Sequence, residues 1–401
     1  MELNNNLYKL KGRVMHYAWG GHEFIPDLLG INNESRQPFA EYWMGAHPLA
    51  PSELLTPEGP VSLYTAIQEE PGRIISEKVY DTFGRLPYLF KVQDVKNILS
   101  IQVHPGKEEA EKGFDREETA GIPLNAPYRN YRDRNHKPEM LVALTEFWLL
   151  HGFRQLAEIE QILIDIPEFT VLLPYYRREG LKALYQFIME IEQPEINALL
   201  ENLIKRNIRM KKEGELTREM PGWWIAKIFE GKEGMGDIDR AIFSIYFFNV
   251  VNLKPGEGLF QGAGMPHAYL EGQCIELMAN SDNVLRAGLT PKHIDVPELM
   301  KHILFETVVP NIMKGITVLT GEKIYPCPVP DFGIAKIELT ANLAYTTTTT
   351  SLEILLVTEG GAVVNNSIVL KRGEAVAVFA GETYTLQASG DTVLFKAFVP
   401  A

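Results

Sequence analysis

The hydrophobic periodicity of this chain changes twice, and these changes limit the folds that it can adopt. From Tyr8 to about Phe153, short apolar runs alternate with a period of two between breaks at glycine, proline and asparagine, a pattern typical of β-strands. From about Gln155 to Phe243, apolar residues recur every three or four positions, as on amphipathic helices. From Asn249 onward the period of two returns. The pattern predicts a mainly β protein with a helical insert.

Strands are predicted at both ends of the chain. Those of the first β region cover residues 88–92, 100–104 and 140–144. Those of the last region include residues 354–357, 375–379 and 393–398. Turn signals between these last runs indicate a β-sandwich or barrel. The threonine run at 346–350 is predicted to be an edge strand, because threonine favours strands.

Three apolar stripes in the insert have helical spacing. They begin at Ile159, Leu181 and Ile196. Breaks at Gly180 and Pro194 separate the corresponding helices. The insert is therefore predicted to be a helical domain of its own.

The net charge excludes some classes of partner. The chain of 401 residues has a formal charge of −13, whereas binding to nucleic acid or to a membrane surface requires a basic face. No apolar run approaches the ~18 residues of a membrane-spanning helix, and the first residues lack the pattern of a signal peptide. Cys274 and Cys327 are isolated thiols, which fits a reducing compartment. We expect a cytoplasmic protein that binds neither nucleic acid nor membranes.

Three polar residues in the β regions are candidate metal ligands. Gln102 and His104 are two positions apart on a predicted strand, so both side chains lie on the same face. A hydrogen-bonded surface histidine is the alternative for this pair. His267 follows a Gly/Pro turn and a strand, which resembles the second half of a cupin metal motif. A capped turn histidine is the alternative there.

A lysine and a glutamate enter the predicted strand 140–144 together. Pro138 favours an extended conformation at Lys137, so Lys137 and Glu139 project to the same side. The two residues form either a surface ion pair or a metal ligand beside a catalytic lysine. The segment alone does not decide between these interpretations.

Residues 280–292 form a candidate ligand-binding loop. This segment contains small polar residues, a glycine and a Thr-Pro-Lys ending, which disfavour both burial in a core and helix formation. Arg286 and Lys292 supply the local positive charge with which an acidic protein could hold a phosphate or an enediolate. Solvated loop charges are the alternative. His47 is a rival ligand to His104, but its neighbours supply no second polar ligand on the same face.

These segments together are similar to the zinc-dependent type I mannose-6-phosphate isomerase family. The matching motifs occur in the family's order. They are YAWG at 17–20, EYWMGAHP at 41–48, LSIQVHP at 99–105, NHKPE at 135–139, PHAY at 266–269 and SDNVLRAGLTPK at 281–292. The last motif is long and specific.

The resemblance implies roles for individual residues. The zinc ligands of the family correspond to Gln102, His104, Glu139 and His267. The catalytic residues that it implies are Arg286, Lys137 and Glu276. The predicted substrate contacts are Lys292, Ser100, Trp19 and Glu41, with Lys107 as a second choice for the phosphate. His47 is implied to lie outside the metal site.

The family also implies an arrangement in three domains. The catalytic domain would be a discontinuous cupin-like (jelly-roll) β-barrel of residues 1–153 and 244–320. Residues 154–243 would form the inserted all-α domain. Residues 321–401 would form a C-terminal β-sandwich of cupin-like character.

The implied reaction interconverts mannose 6-phosphate and fructose 6-phosphate through a cis-enediol(ate). One divalent metal ion, zinc in this family, would polarise the sugar oxygens, and Arg286 would stabilise the intermediate. Lys137 and Glu276 both stay open as the base. The expected partner is the small phosphosugar, and we expect a monomer.

Two other functions use similar residues. A cupin-type metal-dependent oxygenase is one, because two histidines and a carboxylate also hold Fe(II). The long motif at 281–292 has no evident role in such an enzyme. A non-catalytic sugar-binding cupin is the other, but such a protein is expected to have lost a ligand or the arginine, and all five residues are present.

Overall fold

Strands and helices are distributed along the chain as the periodicity predicts. The structure is a computed structural model that describes residues 3–341 and 343–400. The mainly β architecture with a helical insert is confirmed. Across these two ranges, no helix is both long enough and apolar enough to cross a membrane.

The strands occupy the first 153 residues and the part of the chain after residue 247. They are β1 (Leu7–Lys11), β2 (Arg13–Met15), β3 (Glu41–Gly45), β4 (Glu53–Thr56), β5 (Gly59–Ser62), β6 (Tyr88–Val95), β7 (Ile101–Val103), β8 (Glu139–Ala143), β9 (Phe147–Phe153), β10 (Phe248–Leu253), β11 (Gly258–Gln261), β12 (His267–Ala279), β13 (Leu285–Gly288), β14 (Ile316–Leu319), β15 (Glu322–Tyr325), β16 (Gly333–Leu339), β17 (Ala344–Thr348), β18 (Glu353–Glu359), β19 (Gly361–Val364), β20 (Ile368–Lys371), β21 (Ala375–Val378), β22 (Thr383–Ala388) and β23 (Thr392–Phe398).

The longest helices lie in the insert. The helices are α1 (Phe24–Leu29), α2 (Leu63–Glu69), α3 (Pro71–Ile75), α4 (Glu77–Phe83), α5 (Lys107–Thr119), α6 (Leu156–Asp165), α7 (Leu173–Glu190), α8 (Gln193–Lys212), α9 (Pro221–Ile228), α10 (Ile242–Phe247) and α11 (Val296–His302), with a 3₁₀ helix at Pro167–Leu172.

The long strand β12 organises the first sheet. Its first residues pair with β9 and β7, and residues 272–279 pair with β6 and β8. The partners change at Gly272, which has a φ of 127°. A Cβ at this position would lie 2.4 Å from the carbonyl oxygen of Glu146, so only glycine permits the close crossing. One strand thereby carries both His267 and Glu276, which line the same cavity.

The helices of the insert bury the predicted apolar stripes. Ile159, Leu184 and Ile196 are fully buried in a core that also includes side chains of β9 and β13. Both predicted breaks are confirmed. Gly180 interrupts the helical geometry of α7 with a φ of 80°, and Pro194 lies in the first turn of α8. The shared core fixes the insert against the first sheet.

Most strands of the C-terminal region lie in two further sheets, which share a separate hydrophobic core. The nine-stranded sheet has the order β14-β15-β16-β23-β18-β21-β1-β4-β5, and the four-stranded sheet has the order β17-β22-β19-β20. The threonine-rich strand β17 is an edge strand, as predicted. Hydroxyl pairs such as Thr346 with Thr385, 3.0 Å apart, join it to β22.

The pairing of strands crosses the predicted domain boundaries, which themselves stay a prediction. The boundaries place 1–153 and 244–320 in the catalytic domain, but β1, β4, β5 and β14 belong to the nine-stranded sheet. Tyr8 and Leu10 of β1 are buried in a core that extends into both regions. The N-terminal strand therefore ties the catalytic region to the C-terminal one.

A buried ion network lies inside the C-terminal region. Lys396 Nζ is 2.6 Å from Glu322 Oε1 and 3.7 Å from Glu353 Oε1. The ammonium also donates to the hydroxyl of Tyr345 at 3.0 Å, and Tyr384 donates to Glu353 at 2.7 Å. Opposite charges face one another in this network, as buried ions require.

Candidate metal centre and active site

Two histidines and a glutamate form a cluster that can hold a metal ion. One ligand atom each from His104, Glu139 and His267 can be chosen so that all three lie within 4.8 Å of one another. His104 Nε2 is 3.3 Å from Glu139 Oε1, and His267 Nε2 is 3.2 Å from Glu139 Oε2. All three side chains are buried. Nitrogen and carboxylate oxygen atoms in this number suit zinc and related divalent metals.

Strand pairing brings these three side chains together with Gln102. Glu139 opens β8, which pairs with the end of β12, while His267 opens β12. Gln102 on β7 pairs directly with His267 and lines the same cavity as Glu139 and His267. His104 follows β7 one residue after its end. The four residues predicted as ligands therefore come from three adjacent strands.

Backbone carbonyls orient both imidazoles. His104 Nδ1 is 2.8 Å from the carbonyl oxygen of Asn283, and His267 Nδ1 is 2.9 Å from that of Met265. A carbonyl only accepts, so each Nδ1 carries the hydrogen and each Nε2 keeps a lone pair toward Glu139. Within residues 3–341 and 343–400, the buried His104 Nε2 has no hydrogen-bond partner. This arrangement fits a bound metal ion.

The protonation of the cluster also fits a metal site. Burial, followed by the charge of Lys137, lowers the pKa of His104 to about 4, which leaves the imidazole neutral at neutral pH. Burial acts to raise the pKa of Glu139, but nearby positive charge, chiefly Lys137, holds it well below its ordinary value. Lys137 Nζ lies 3.0 Å from Glu139 Oε1. The cluster thus presents a neutral imidazole and an ionised carboxylate, the forms that bind metal.

A second charged group, missed in the sequence, lines the same cavity. Lys91 on β6 donates to Glu276 Oε2 at 2.9 Å, and its Nζ is 3.9 Å from Glu41 Oε1. Burial acts to lower the pKa of Lys91, but Glu276 and Glu41 outweigh burial and raise it, so the lysine stays charged. The available signal was a lysine in the middle of the apolar strand 88–92.

Glu276 is held by two donors. Besides the bond from Lys91, the hydroxyl of Tyr269 donates to Glu276 Oε1 at 2.8 Å. The surroundings of Glu41 are different. Burial raises the pKa of Glu41, and its Oε2 accepts a 2.5 Å hydrogen bond from Trp43 Nε1. Each oxygen of Glu276 therefore accepts a hydrogen bond, and the two bonds fix the orientation of the side chain.

Three cations lie near one another, and one of them, Arg286, pairs through its backbone with Gln102, which lines the cavity. Burial, and next the charge of Arg132, lowers the pKa of Arg286; burial, and next Arg286 and Arg132, lowers that of Lys292. Each group therefore experiences the positive charge of its neighbours. Among the described residues, none of the three forms an ion pair with Asp or Glu. Arg132 was missed because the sequence around it contains charges of both signs.

Comparisons with known proteins decide the family. The description "phosphomannose isomerase type I, catalytic domain" matches residues 7–156. The mannose-6-phosphate isomerase of Escherichia coli (strain K12) is 39% identical over 386 residues, which cover 94% of this chain and 96% of that protein. The chain belongs to the type I phosphomannose isomerase family.

The similarity extends to a mammalian relative and to solved structures. The human mannose-6-phosphate isomerase is 34% identical over 433 residues, with 98% of each chain covered. The Salmonella typhimurium enzyme, crystallised with its substrate fructose 6-phosphate and zinc, matches with a TM-score of 0.87 and 35% identity. That match covers 99% of this chain and 100% of the other. The resemblance inferred from the motifs is confirmed.

The remaining site predictions differ in where the structure places them. Ser100 and Glu41 line the cavity, which measures about 50 Å³. Trp19 is not among the described residues that line it; its ring stacks on Tyr17 at 5.9 Å. Lys107 donates to Asn135 Oδ1. As roles in binding or catalysis, all of these assignments stay predictions.

The rival ligand His47 lies outside the cluster. Its Nε2 is 3.4 Å from Asp282 Oδ2, and its ring contacts Trp43 edge-on. The pairing of His47 with an aspartate explains its burial without a metal ion. That His47 takes no part in metal binding stays a prediction.

Replacement of His267 by alanine should remove the metal ion. We expect His267→Ala to weaken metal binding by more than about 100-fold, since loss of a ligand costs more than loss of an outer hydrogen bond. His47→Gln should retain the metal and serves as the control. Elemental analysis of both purified variants provides the measurement. A His267→Ala protein with stoichiometric metal would remove this residue from the ligand set.

Proposed function

We propose that this chain interconverts mannose 6-phosphate and fructose 6-phosphate and requires a zinc ion. The observation that carries the proposal is the His104–Glu139–His267 cluster together with Arg286, which pairs in the backbone with Gln102 and has the cations Lys292 and Arg132 as neighbours. The cluster can hold a divalent metal, and the cations can hold an anionic sugar. The names of the relatives, and the zinc and fructose 6-phosphate bound in a similar structure, support the same reaction.

The metal would be held by Gln102, His104, Glu139 and His267. Two neutral imidazoles, an amide oxygen and one carboxylate leave a net charge of about +1 on a divalent ion. When bound, the ion supplies polarisation of the sugar oxygens beside the C–H bond that must be broken. The hydrogen bonds to Asn283 and Met265 hold the two imidazoles in place for this purpose.

Glu276 is our choice for the base that moves the proton between C1 and C2. It lines the cavity as a carboxylate and accepts hydrogen bonds from Lys91 and Tyr269, which fix its orientation. Lys137 Nζ lies 3.0 Å from Glu139 Oε1, a predicted metal ligand, so we place it beside the metal rather than at the C–H bond. Lys137 instead adds positive charge next to the developing oxyanion.

The cations divide between the sugar and its phosphate. Arg286 pairs across β13 and β7 with Gln102, which places it near the predicted metal ligands. Its planar guanidinium is suited to an enediolate oxygen. Lys292 and Arg132 are exposed and carry like charge, so a phosphate dianion between them would relieve their repulsion. We therefore assign the phosphate to Lys292 and Arg132.

The cellular location and the oligomeric state belong to the same set of proposals. We propose a cytoplasmic monomer. Both cysteines are free thiols, which supports a reducing compartment. The cysteine content does not bear on the oligomeric state.

A coupled assay tests the reaction itself. We expect the purified protein to convert fructose 6-phosphate to mannose 6-phosphate, to lose activity with a chelator and to regain it with zinc. Mannose 6-phosphate formation is measured through an enzyme that consumes it. Oxygen uptake on addition of iron and sugar, without isomerisation, would favour the oxygenase instead.

Arg286→Ala should lower kcat by about 100- to 1000-fold, the usual cost of removing an oxyanion donor. Metal content should stay unchanged. Arg178→Ala, which removes an exposed arginine paired with Glu179, is the matched control. Steady-state kinetics with elemental analysis provide the readout. A rise in KM with kcat intact would show that Arg286 binds substrate rather than the transition state.

Glu276→Gln tests the choice of base, because the amide keeps the shape of the side chain but cannot accept the proton. We expect kcat to fall by at least about 100-fold with the metal retained. Glu271→Gln is a control on the same strand, where the carboxylate pairs with Arg218 and Lys227 instead. If Glu276→Gln changes kcat by less than about tenfold, Lys137 becomes the base.

A further inference from the structure

The segment between Arg286 and Lys292 is held from outside the catalytic sheet. Main-chain pairing of β13 with β7 ends at Gly288. The next residue, Leu289, has a φ of 55°, a left-handed conformation that a leucine adopts only when its surroundings enforce it. The chain therefore turns at Leu289, and this turn sets where Lys292 lies relative to Arg286.

A carboxylate of the helical insert fixes this turn. Asp239 Oδ2 accepts a hydrogen bond from the amide of Leu289 at 2.6 Å, and its Oδ1 accepts one from the amide of Ala241 at 2.8 Å. Bonds from amides to an ionised acceptor are short and strong. Among the described residues, Asp239 forms no ion pair with a lysine or arginine. Its two oxygens thus accept hydrogen bonds from one amide of the loop, that of Leu289, and one amide of the insert, that of Ala241.

The missing side chain of Gly288 makes this contact close. A Cβ at Gly288 would lie 2.3 Å from the Cβ of Ala241 and 2.8 Å from Asp239 Oδ1. The backbone of the insert thus lies directly against the backbone of the loop. On the loop side, the contact is made by the backbone of Gly288 and the amide of Leu289. A shift of Asp239 would therefore act directly on the loop backbone.

We propose that Asp239 is a positioning residue for substrate binding, which fixes Leu289 and thereby the spacing of Arg286 and Lys292. This inference rests on the proposed assignment of Lys292 to the phosphate. It gives the helical insert a function in the reaction, although the insert contributes no side chain to the metal cluster. The same turn borders a cavity of about 510 Å³ between the insert and the loop, so without Asp239 the loop has space to move.

Asp239→Asn tests the proposal, because the side chain keeps its size but has one acceptor oxygen in place of the two that serve the amides of Leu289 and Ala241. We expect KM for mannose 6-phosphate, and the inhibition constant of inorganic phosphate, to rise at least about tenfold, since small misplacements of binding groups are costly. The value of kcat and the metal content should change by less than about threefold. A purely structural role would lower Tm and leave KM and phosphate inhibition unchanged.

Asp237→Asn is the matched control. Asp237 lies two residues earlier, is exposed, and has its hydrogen bond to Asn197 rather than to the loop. This variant should keep the wild-type KM. If Asp239→Asn does not fold, Asp239→Glu keeps the charge but misplaces it by one methylene, and its KM should rise in the same direction.

Lys292→Ala separates failure of the inference from failure of its premise. If Lys292→Ala raises KM and the phosphate inhibition constant while Asp239→Asn leaves both unchanged, the role of Asp239 is refuted alone. If Lys292→Ala changes neither constant, the phosphate assignment is wrong, and the positioning role falls with it. A rise in both variants, with Asp237→Asn unchanged, supports the proposal.

Discussion

The buried carboxylate of Glu139 is the constraint on which the active site depends. Its oxygens lie within 3.3 Å of His104, His267 and Lys137. An ionised carboxylate without partners costs several kcal/mol in such a place, so the convergence of these groups stabilises the folded chain. Convergence requires β7, β8 and β12 to lie side by side, which the bend at Gly272 permits. The geometry of the metal cluster is therefore also part of the stability of the first sheet.

Two buried networks of lysine and glutamate in this molecule differ in what surrounds them. In the C-terminal region, Lys396 lies between two carboxylates, those of Glu322 and Glu353. In the catalytic region, Lys91 lies between the carboxylates of Glu276 and Glu41, but this network borders a cavity and the metal cluster. The chain has no histidine after His302, so the C-terminal network lacks imidazole ligands. Similar pairs of lysine and carboxylate thus lie within the C-terminal region in one case and line a cavity in the other.

Local sequence predicted those parts of the site whose signal is a short spacing. Gln102 and His104 follow from the period of two, and Lys137 and Glu139 from the extended residue before Pro138. Lys91 and Arg132 were missed, because a single charge in a strand or in a mixed loop has no distinctive spacing. Their importance arises from neighbours distant in the chain; Lys91 contacts Glu276, which is 185 residues away.

By itself the sequence determined the alternation of strands and helices, the edge position of the threonine-rich strand and, through six motifs, the family. These features depend on neighbours within a few residues, so a linear pattern records them. Only the tertiary structure decided that β1 joins the C-terminal sheet and that Asp239 holds Leu289. Both contacts use the main-chain amides or carbonyls of a strand or loop, which almost every residue type provides. For that reason they leave no pattern along the chain, and they become visible only when distant segments are brought together.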